Sequence, residues 1–180
     1  MNIKMTSIMA ILSLASISLA KDKLPPSLVD YAGFVELTET VGAIRAERLI
    51  PLNTFLEMAR DPDTILLDTR SKAAYDRKHI KGAVHLNFSD FTAEKLEKVI
   101  PSKNTRILIY CNNNIEGDAD NFQLKMAPVA LNIPTFINLY EYGYHNVYEL
   151  FDLVPADYEK LEFAGTSVMR RPVRCNSRRQ

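Results

Sequence analysis

The sequence has few residues that bind metals or form disulfides. Its 180 residues include three histidines and two cysteines, Cys111 and Cys175. His85 and His145 have no partners at the spacing of metal ligands, so the sequence predicts neither a metal site nor a cofactor. Two cysteines allow one disulfide at most, and a Cys111–Cys175 bond would mask both thiols.

No apolar run is long enough to span a bilayer. The segment from Ile8 to Leu19 is apolar except for small serines, and it is too short for a transmembrane helix. Small residues at Ser18 and Ala20, before charged Lys21, are typical of a secretory cleavage site. We therefore predict a signal peptide at residues 1–20, a periplasmic or secreted protein, and no stable membrane insertion after cleavage. The alternative is an uncleaved anchor.

The chain also has no net charge, with 22 basic and 22 acidic residues. Five arginines and no acid lie between Arg170 and Gln180, and one lysine lies in the leader, so the remainder carries 16 basic against 22 acidic residues. Basic tails can bind nucleic acid or anionic lipid. Five arginines without aromatic neighbours favour a solvated, disordered tail over residues 164–180, and no nucleic-acid partner is predicted.

The rest of the chain alternates short apolar strands with helices, which predicts one α/β domain with a mostly parallel sheet. An N-terminal extension, residues 21–48, precedes a domain at residues 49–163. Ser71 is predicted to cap the second helix. The predicted strands are 49–52, 65–68, 83–86, 107–110 and 135–139, and the predicted helices are 54–59, 72–77, 93–100 and 119–131.

Cys111 follows the apolar run from Ile107 to Tyr110. A strand without polar alternation is typical of one buried on both faces. The thiol then lies at the carboxyl end of a central strand, where open parallel sheets bind ligands and where a following helix directs its first N–H groups. It is either a reactive thiolate or a small buried apolar side chain.

Several motifs in order resemble the rhodanese-like domain family: Asp68-Thr69-Arg70, Tyr75, His79-Ile80-Lys81-Gly82-Ala83 and Tyr110-Cys111. The resemblance covers roughly residues 49–163. It implies a five-stranded parallel sheet of order 1-5-4-2-3 flanked by helices. The Cys111 strand would lie between the Asp68 strand and strand 135–139. We interpret Asp68, Arg70, His79 and Gly82 as structural supports of the site.

The resemblance further implies that Cys111 carries a persulfide inside a loop of inward-pointing N–H groups. Sulfur would pass from a donor to a thiol or a cyanide-like acceptor. The partner would be a small sulfur-containing substrate or a protein thiol. The residues expected to bind substrate are Asn112, Asn113, Asn114, Ile115, Glu116 and Gly117.

The loop departs from the family in its charge. The family has a glycine three residues after the cysteine and an arginine five after it, where this chain has Asn114 and Glu116. Glu116, Asp118 and Asp120 are acidic, and no base occurs between Cys111 and Lys125. Repulsion of a dianion, on the order of 1 kcal/mol per charge pair in water, predicts inefficient transfer from thiosulfate.

Three functions therefore stay open from the sequence: sulfur transfer through Cys111, a non-catalytic binding module, and a redox role for Cys111 with Cys175. Tyr140, Tyr142 and Tyr144 would share one face of an extended chain. They would then either pack at the rim of the domain or form an aromatic wall beside Cys111.

Overall fold

The computed structural model describes residues 24–169. Residues 24–30 contain neither helix nor strand. The remaining part contains six α-helices and nine strands, and no helix in the described residues is long and apolar enough to cross a membrane. The helices are α1 (Tyr31–Ala46), α2 (Leu52–Met58), α3 (Lys72–Arg77), α4 (Ala93–Val99), α5 (Asn132–Glu141) and α6 (Thr166–Met169). The strands are β1 (Leu49–Ile50), β2 (Thr64–Asp68), β3 (His79–Ile80), β4 (Val84–His85), β5 (Arg106–Tyr110), β6 (Ile115–Glu116), β7 (Val147–Leu150), β8 (Val154–Pro155) and β9 (Phe163–Ala164).

The main sheet is parallel and has the order β1-β7-β5-β2-β4. Numbered along the chain within this sheet, the order is 1-5-4-2-3, so the predicted fold class and strand order are confirmed. Two small pairs lie outside it: β3 with β9, antiparallel, and β6 with β8, parallel. The carboxyl ends of β2, β5 and β7 meet at one edge, which is where Cys111 lies.

β5 is buried on both faces, as its continuous apolar sequence predicts. Ile107 and Ile109 pack into one core with side chains from α1, α4 and α5. Leu108 and Tyr110 point the other way, into a second core with side chains from α2 and α3. Successive side chains of a strand alternate between faces, so helices on both sides bury the whole strand.

The strand predicted at residues 135–139 is wrong, because this segment lies in helix α5. Ile133, Phe136, Ile137 and Tyr140 recur at helical spacing and pack together on the core shared with α1 and α4. Pro134 lies in the first turn, where it is tolerated. The fifth strand of the sheet is β7 instead, and its polar Glu149 interrupts the apolar pattern.

The helix predicted at residues 119–131 is also wrong. This segment has no α-helix, and it contains one 3₁₀ turn at Ala127–Val129. Pro128 lacks the N–H that a helix interior needs. The helix after the Cys111 loop therefore begins only at Asn132. Residues 117–131 form a segment inserted between β6 and α5, which we call the inserted segment.

The ends of the fold also differ from the prediction. Within the predicted N-terminal extension, α1 forms a helix and buries Val41. Ala164 pairs with His79, and α6 follows, so the boundary predicted at residue 163 lies inside β9. α2 begins at Leu52, directly after Pro51, and not at residue 54. The predicted leader, Cys175 and residues 170–180 lie outside the described residues.

Gly165 gives the first testable prediction, because it has a positive φ of 119° and no space for a side chain. A Cβ there would lie 2.5 Å from the Arg77 carbonyl oxygen. Gly165→Ala is expected to lower the free energy of unfolding by about 2–3 kcal/mol, from backbone strain and overpacking. Urea unfolding measures this loss.

Gly82→Ala is the matched control, since Gly82 has a similar φ of 89° and nothing within 4 Å of an added Cβ. It carries only the backbone strain, about 1–2 kcal/mol. Equal losses at Gly82 and Gly165 would contradict the steric explanation.

Candidate functional site

Cys111 lies at the end of β5, at the bottom of a surface pocket, and only 1% of it is exposed. The main-chain N–H groups of Asn113, Asn132 and Leu131 lie close enough to its sulfur to lower the pKa of the thiol. Burial raises the pKa of the thiol and the nearby Glu149 carboxylate adds to this, while the three N–H groups lower it; the net pKa is raised. The thiol is therefore mostly protonated at neutral pH, and three donors stabilise the thiolate when it forms.

The turn that follows Cys111 is fixed by Asn114. Residues Asn112–Asn114 form one 3₁₀ turn, and Asn114, the last residue of this turn, is buried. The Cys111 N–H donates to Asn114 Oδ1 at 2.9 Å, and Asn114 Nδ2 donates to the Leu150 carbonyl at 2.8 Å. Asn114 thus takes the place of the family's usual glycine and joins the loop to the end of β7.

A buried carboxylate, Glu149, lies close to this loop. Arg45 donates to both of its oxygens, from Nε at 2.7 Å and from Nη2 at 2.6 Å. Asn132 Nδ2 donates to Glu149 Oε1 at 3.2 Å and to Asn114 Oδ1 at 2.9 Å. Sequence reasoning missed Glu149 and Arg45; a single acid inside an apolar strand was the available indication.

The pocket above Cys111 has a volume of about 590 Å³ and a cationic lining. Arg77 and Lys125 are exposed, and neither has an ion-pair partner within the described part of the chain. Among residues 24–169, no carboxylate side chain lines this pocket. The lining residues are Thr69, Arg70, Ser71, Ala74, Arg77, Asn87, Phe88, Ser89, Cys111, Asn112, Asn113, Asn121, Gln123, Lys125, Val129 and Leu131.

The inserted segment, residues 117–131, forms one wall of the pocket and is held in place at several points. Asn113 Nδ2 donates to the Lys125 carbonyl at 2.7 Å, and its Oδ1 accepts from the Lys125 N–H at 3.1 Å. Arg77 Nη2 donates to the Asp120 carbonyl at 3.4 Å, and Phe122 is buried. Lys125 therefore reaches the pocket from a segment that follows the Cys111 loop in sequence.

Of the six residues expected to bind substrate, only Asn112 and Asn113 line the pocket with Cys111. Asn114 lies under the turn, and Ile115 is in the core. Glu116 pairs with Pro155 in the β6–β8 ladder, which carries Glu116 and Gly117 to a separate pocket.

The acidic side chains predicted to repel a dianion do not face the pocket. Asp118 pairs with Lys78 at 2.8 Å and shares the separate pocket with Glu116. Partial burial opposes ionisation of Asp118, but hydrogen bonds from Lys78 and Asn121 outweigh it and lower the pKa. Asp120 is exposed outside the lining. Among the described residues that line the pocket, no carboxylate side chain is therefore present to repel a dianion.

The two supports at the end of β2 form a buried ion pair beside the loop. Arg70 donates to Asp68 Oδ2 at 2.6 Å, to the Lys78 carbonyl at 2.7 Å and to the Asn121 carbonyl at 3.2 Å. Tyr110 donates to Asp68 at 2.6 Å. Burial opposes the Arg70 charge, but Asp68 outweighs it and raises the pKa of the guanidinium.

The remaining supports lie away from the sulfur. His79 Nδ1 is 2.7 Å from the Tyr75 carbonyl, and the two rings stack at 3.8 Å. Gly82 occupies a turn with positive φ. Neither residue lines the Cys111 pocket.

Of the two alternatives for Tyr140, Tyr142 and Tyr144, the aromatic wall beside Cys111 is wrong, because none of the three lines the pocket. Tyr140 lies in α5, and Tyr142 directly follows it. Tyr144 is fully buried, and all three rings belong to the core shared by α1, α4 and α5. The expected face depended on an extended chain, but the chain is helical up to Glu141.

Comparison with known proteins adds family evidence. A family model described as "Rhodanese-like domain" matches residues 52–150. No curated protein sequence matches the chain.

Several solved structures are similar to this chain, and the first described here shows the same kind of fold. The BH2092 protein from Bacillus halodurans has a TM-score of 0.52 at 16% identity, covering 74% of this chain and 88% of that one. The rhodanese-like domain of the Alr3790 protein from Anabaena sp. has a TM-score of 0.46 at 20% identity, with 70% and 85% covered. An Escherichia coli rhodanese solved with anions has a TM-score of 0.38 at 19% identity, with 57% and 99% covered.

Proposed function

The chain belongs to the rhodanese-like domain family, and on that premise we propose that it transfers sulfur through a persulfide on Cys111. One observation carries the proposal: Cys111 lines an open pocket at the end of a central strand, where three main-chain N–H groups lower the pKa of its thiol. Such donors stabilise a thiolate and would equally stabilise the terminal sulfur of a persulfide anion. An ordinary buried thiol in a strand does not need them.

The proposed reaction has two steps. The Cys111 thiol releases its proton to solvent, and the thiolate attacks the outer sulfur of a donor such as thiosulfate. A bond forms between the two sulfur atoms, the donor's own sulfur–sulfur bond breaks, and sulfite leaves with the electron pair. A thiolate or cyanide then attacks the outer sulfur of the persulfide, and Cys111 leaves as the thiolate.

Arg77 and Lys125 supply positive charge in place of the family's loop arginine. Both line the pocket with Cys111, and the acids of the inserted segment do not. The predicted repulsion by Glu116, Asp118 and Asp120 is therefore absent from the pocket lining, and we include anionic donors in the proposed substrate class.

The test is mass spectrometry of the full chain carrying Cys175→Ser, so that Cys111 is the only thiol. After incubation with thiosulfate we expect the mass of one added sulfur atom on the Cys111 peptide. Cyanide should remove that atom as thiocyanate. Cys111→Ser in the same background is the control, and it should gain nothing.

A non-catalytic binding module is the second candidate, because burial raises the pKa of Cys111 and leaves the thiol 1% exposed. It predicts no sulfur gain from any donor in a panel of thiosulfate, polysulfide and organic persulfides, although iodoacetamide alkylates the thiol. Peptide mapping of the wild-type chain without reductant tests the redox alternative, which requires a Cys111–Cys175 disulfide.

Export belongs to the proposal on sequence grounds alone, namely the leader at residues 1–20. Expression of the full-length chain followed by cell fractionation and N-terminal sequencing tests it. A mature chain that starts near Lys21 is expected, and retention of Met1 in the cytosol would contradict it.

A further inference from the structure

Arg45 lies outside the matched residues 52–150, yet its ion pair with Glu149 connects it through Asn132 to the Cys111 loop. We propose that Arg45 is a positioning residue for Cys111: it holds Glu149 in a bidentate ion pair that neutralises the carboxylate beside the sulfur and orients Asn132. The inference rests on the proposed function of Cys111 and deepens it. Helix α1 then completes the site, although no family motif includes it.

A continuous chain of hydrogen bonds carries the proposal. Arg45 binds both oxygens of Glu149 at 2.6 and 2.7 Å, and Glu149 Oε1 accepts from Asn132 Nδ2 at 3.2 Å. The same Asn132 amide donates to Asn114 Oδ1, which also accepts the Cys111 N–H at 2.9 Å. The Asn132 main-chain N–H also lowers the pKa of the Cys111 thiol. Each step is a direct contact, so a change at Arg45 reaches Cys111 through three side chains.

The ion pair affects the charge near Cys111 because it is largely shielded from water. The side chain of Glu149 is 7% exposed and that of Arg45 is 27% exposed, so water compensates little of the carboxylate's charge. The carboxylate raises the pKa of the Cys111 thiol. Without Arg45, its uncompensated negative charge would disfavour the thiolate more strongly.

Other charged groups lie on the two sides of Glu149 and Cys111. On the β1 side, Arg48 accepts the Glu149 N–H through its carbonyl, and its guanidinium lies over the Tyr148 ring. α5 contributes the uncharged Asn132. On the pocket side, the charged groups lining it with Cys111 are Arg70, Arg77 and Lys125. Arg45 is therefore the charged group that binds Glu149 in the described residues.

The test measures the rate of iodoacetamide alkylation against pH, in full chains carrying Cys175→Ser. The midpoint of this profile reports thiol ionisation, and its alkaline plateau reports access to the sulfur. Arg45→Gln is expected to raise the midpoint by about one pH unit and to slow alkylation at pH 7 about tenfold, with the plateau unchanged. Arg45→Lys keeps the charge and should restore part of the rate.

The double variant Arg45→Gln/Glu149→Gln removes both charges and should return to within about threefold of the parent rate. Arg106→Gln is the matched control, because it breaks the Arg106–Asp61 pair at the opposite end of β5 and should leave the midpoint unchanged. A folded Arg45→Gln with the parent midpoint would overturn the proposal, and so would a double variant as slow as the single one.

If Arg45→Gln does not fold, Glu149→Gln alone keeps the proposal testable, since it leaves Arg45 unopposed and should lower the midpoint. An unchanged midpoint in that variant would also overturn the proposal. Alkylation requires no sulfur transfer. A shifted midpoint in a protein that never gains sulfur would therefore reject the proposed function and keep the role of Arg45.

Discussion

Arg70→Leu is expected to lower the free energy of unfolding by about 3–5 kcal/mol, because it leaves a buried carboxylate without its cation. The Arg70 side chain is 2% exposed and that of Asp68 is fully buried. Without Arg70, Asp68 keeps only the Tyr110 hydroxyl and the main-chain N–H of residue 70. The loss is a large part of the 5–15 kcal/mol that typically stabilises a domain. Urea unfolding at neutral pH measures it.

Removing the orphaned charge should restore stability in part. Asp68→Asn/Arg70→Leu keeps a hydrogen-bonding side chain without a charge, and we expect it to be more stable than Arg70→Leu alone. Arg106→Leu, at the partly exposed pair with Asp61, should cost only about 0–1 kcal/mol. Equal losses at Arg70 and Arg106 would show that burial is not the cause.

The architecture could be predicted because its determinants are local in the sequence. Short stretches of sequence indicate the apolar strands β2 and β5, the motif with Asp68 and Arg70, and the turn at Gly82. Ser71 accepts from the Ala74 N–H as a helix cap. Residues 135–139 were predicted as a strand because β-branched and aromatic residues fit either a strand or a buried helix when the run is short. The spacing of Ile133, Phe136, Ile137 and Tyr140 distinguishes the two only when a longer window is considered.

The electrostatics of the site could not be predicted, because they depend on which side chains the fold brings together. Glu116 and Asp118 follow Cys111 closely in sequence, but the pairing of β6 with β8 carries them away from it. Glu149 is distant in sequence and close in space. Arg77 and Lys125 come from α3 and from the inserted segment, and neither position indicates a pocket. Sequence proximity therefore predicted the wrong sign of charge for the lining of the pocket.

Reversing the charge of Arg77 and Lys125 is expected to slow the reaction of Cys111 with thiosulfate about 100-fold. Both side chains are exposed, so each pair of unit charges within the pocket contributes about 0.3–0.4 kcal/mol after screening by water and salt. Arg77→Glu and Lys125→Glu each exchange an attraction for a repulsion of a dianion, which gives about tenfold per site. Sulfur loading of the Cys175→Ser chain, followed by mass spectrometry over time, measures the rate.

Two alkylating reagents of nearly equal size distinguish an effect of charge from an effect of access to the sulfur. Iodoacetate carries one negative charge and iodoacetamide none, so in Arg77→Glu/Lys125→Glu the first should slow about tenfold and the second should change less than about twofold. Added salt should slow thiosulfate with the parent and speed it with the double variant, because screening weakens attraction and repulsion alike. Lys72→Glu, on the same helix as Arg77 but outside the pocket lining, is the control and should leave all three reagents nearly unchanged. If iodoacetamide slows as much as thiosulfate, the substitutions have altered the pocket itself, and the cationic lining does not select the donor.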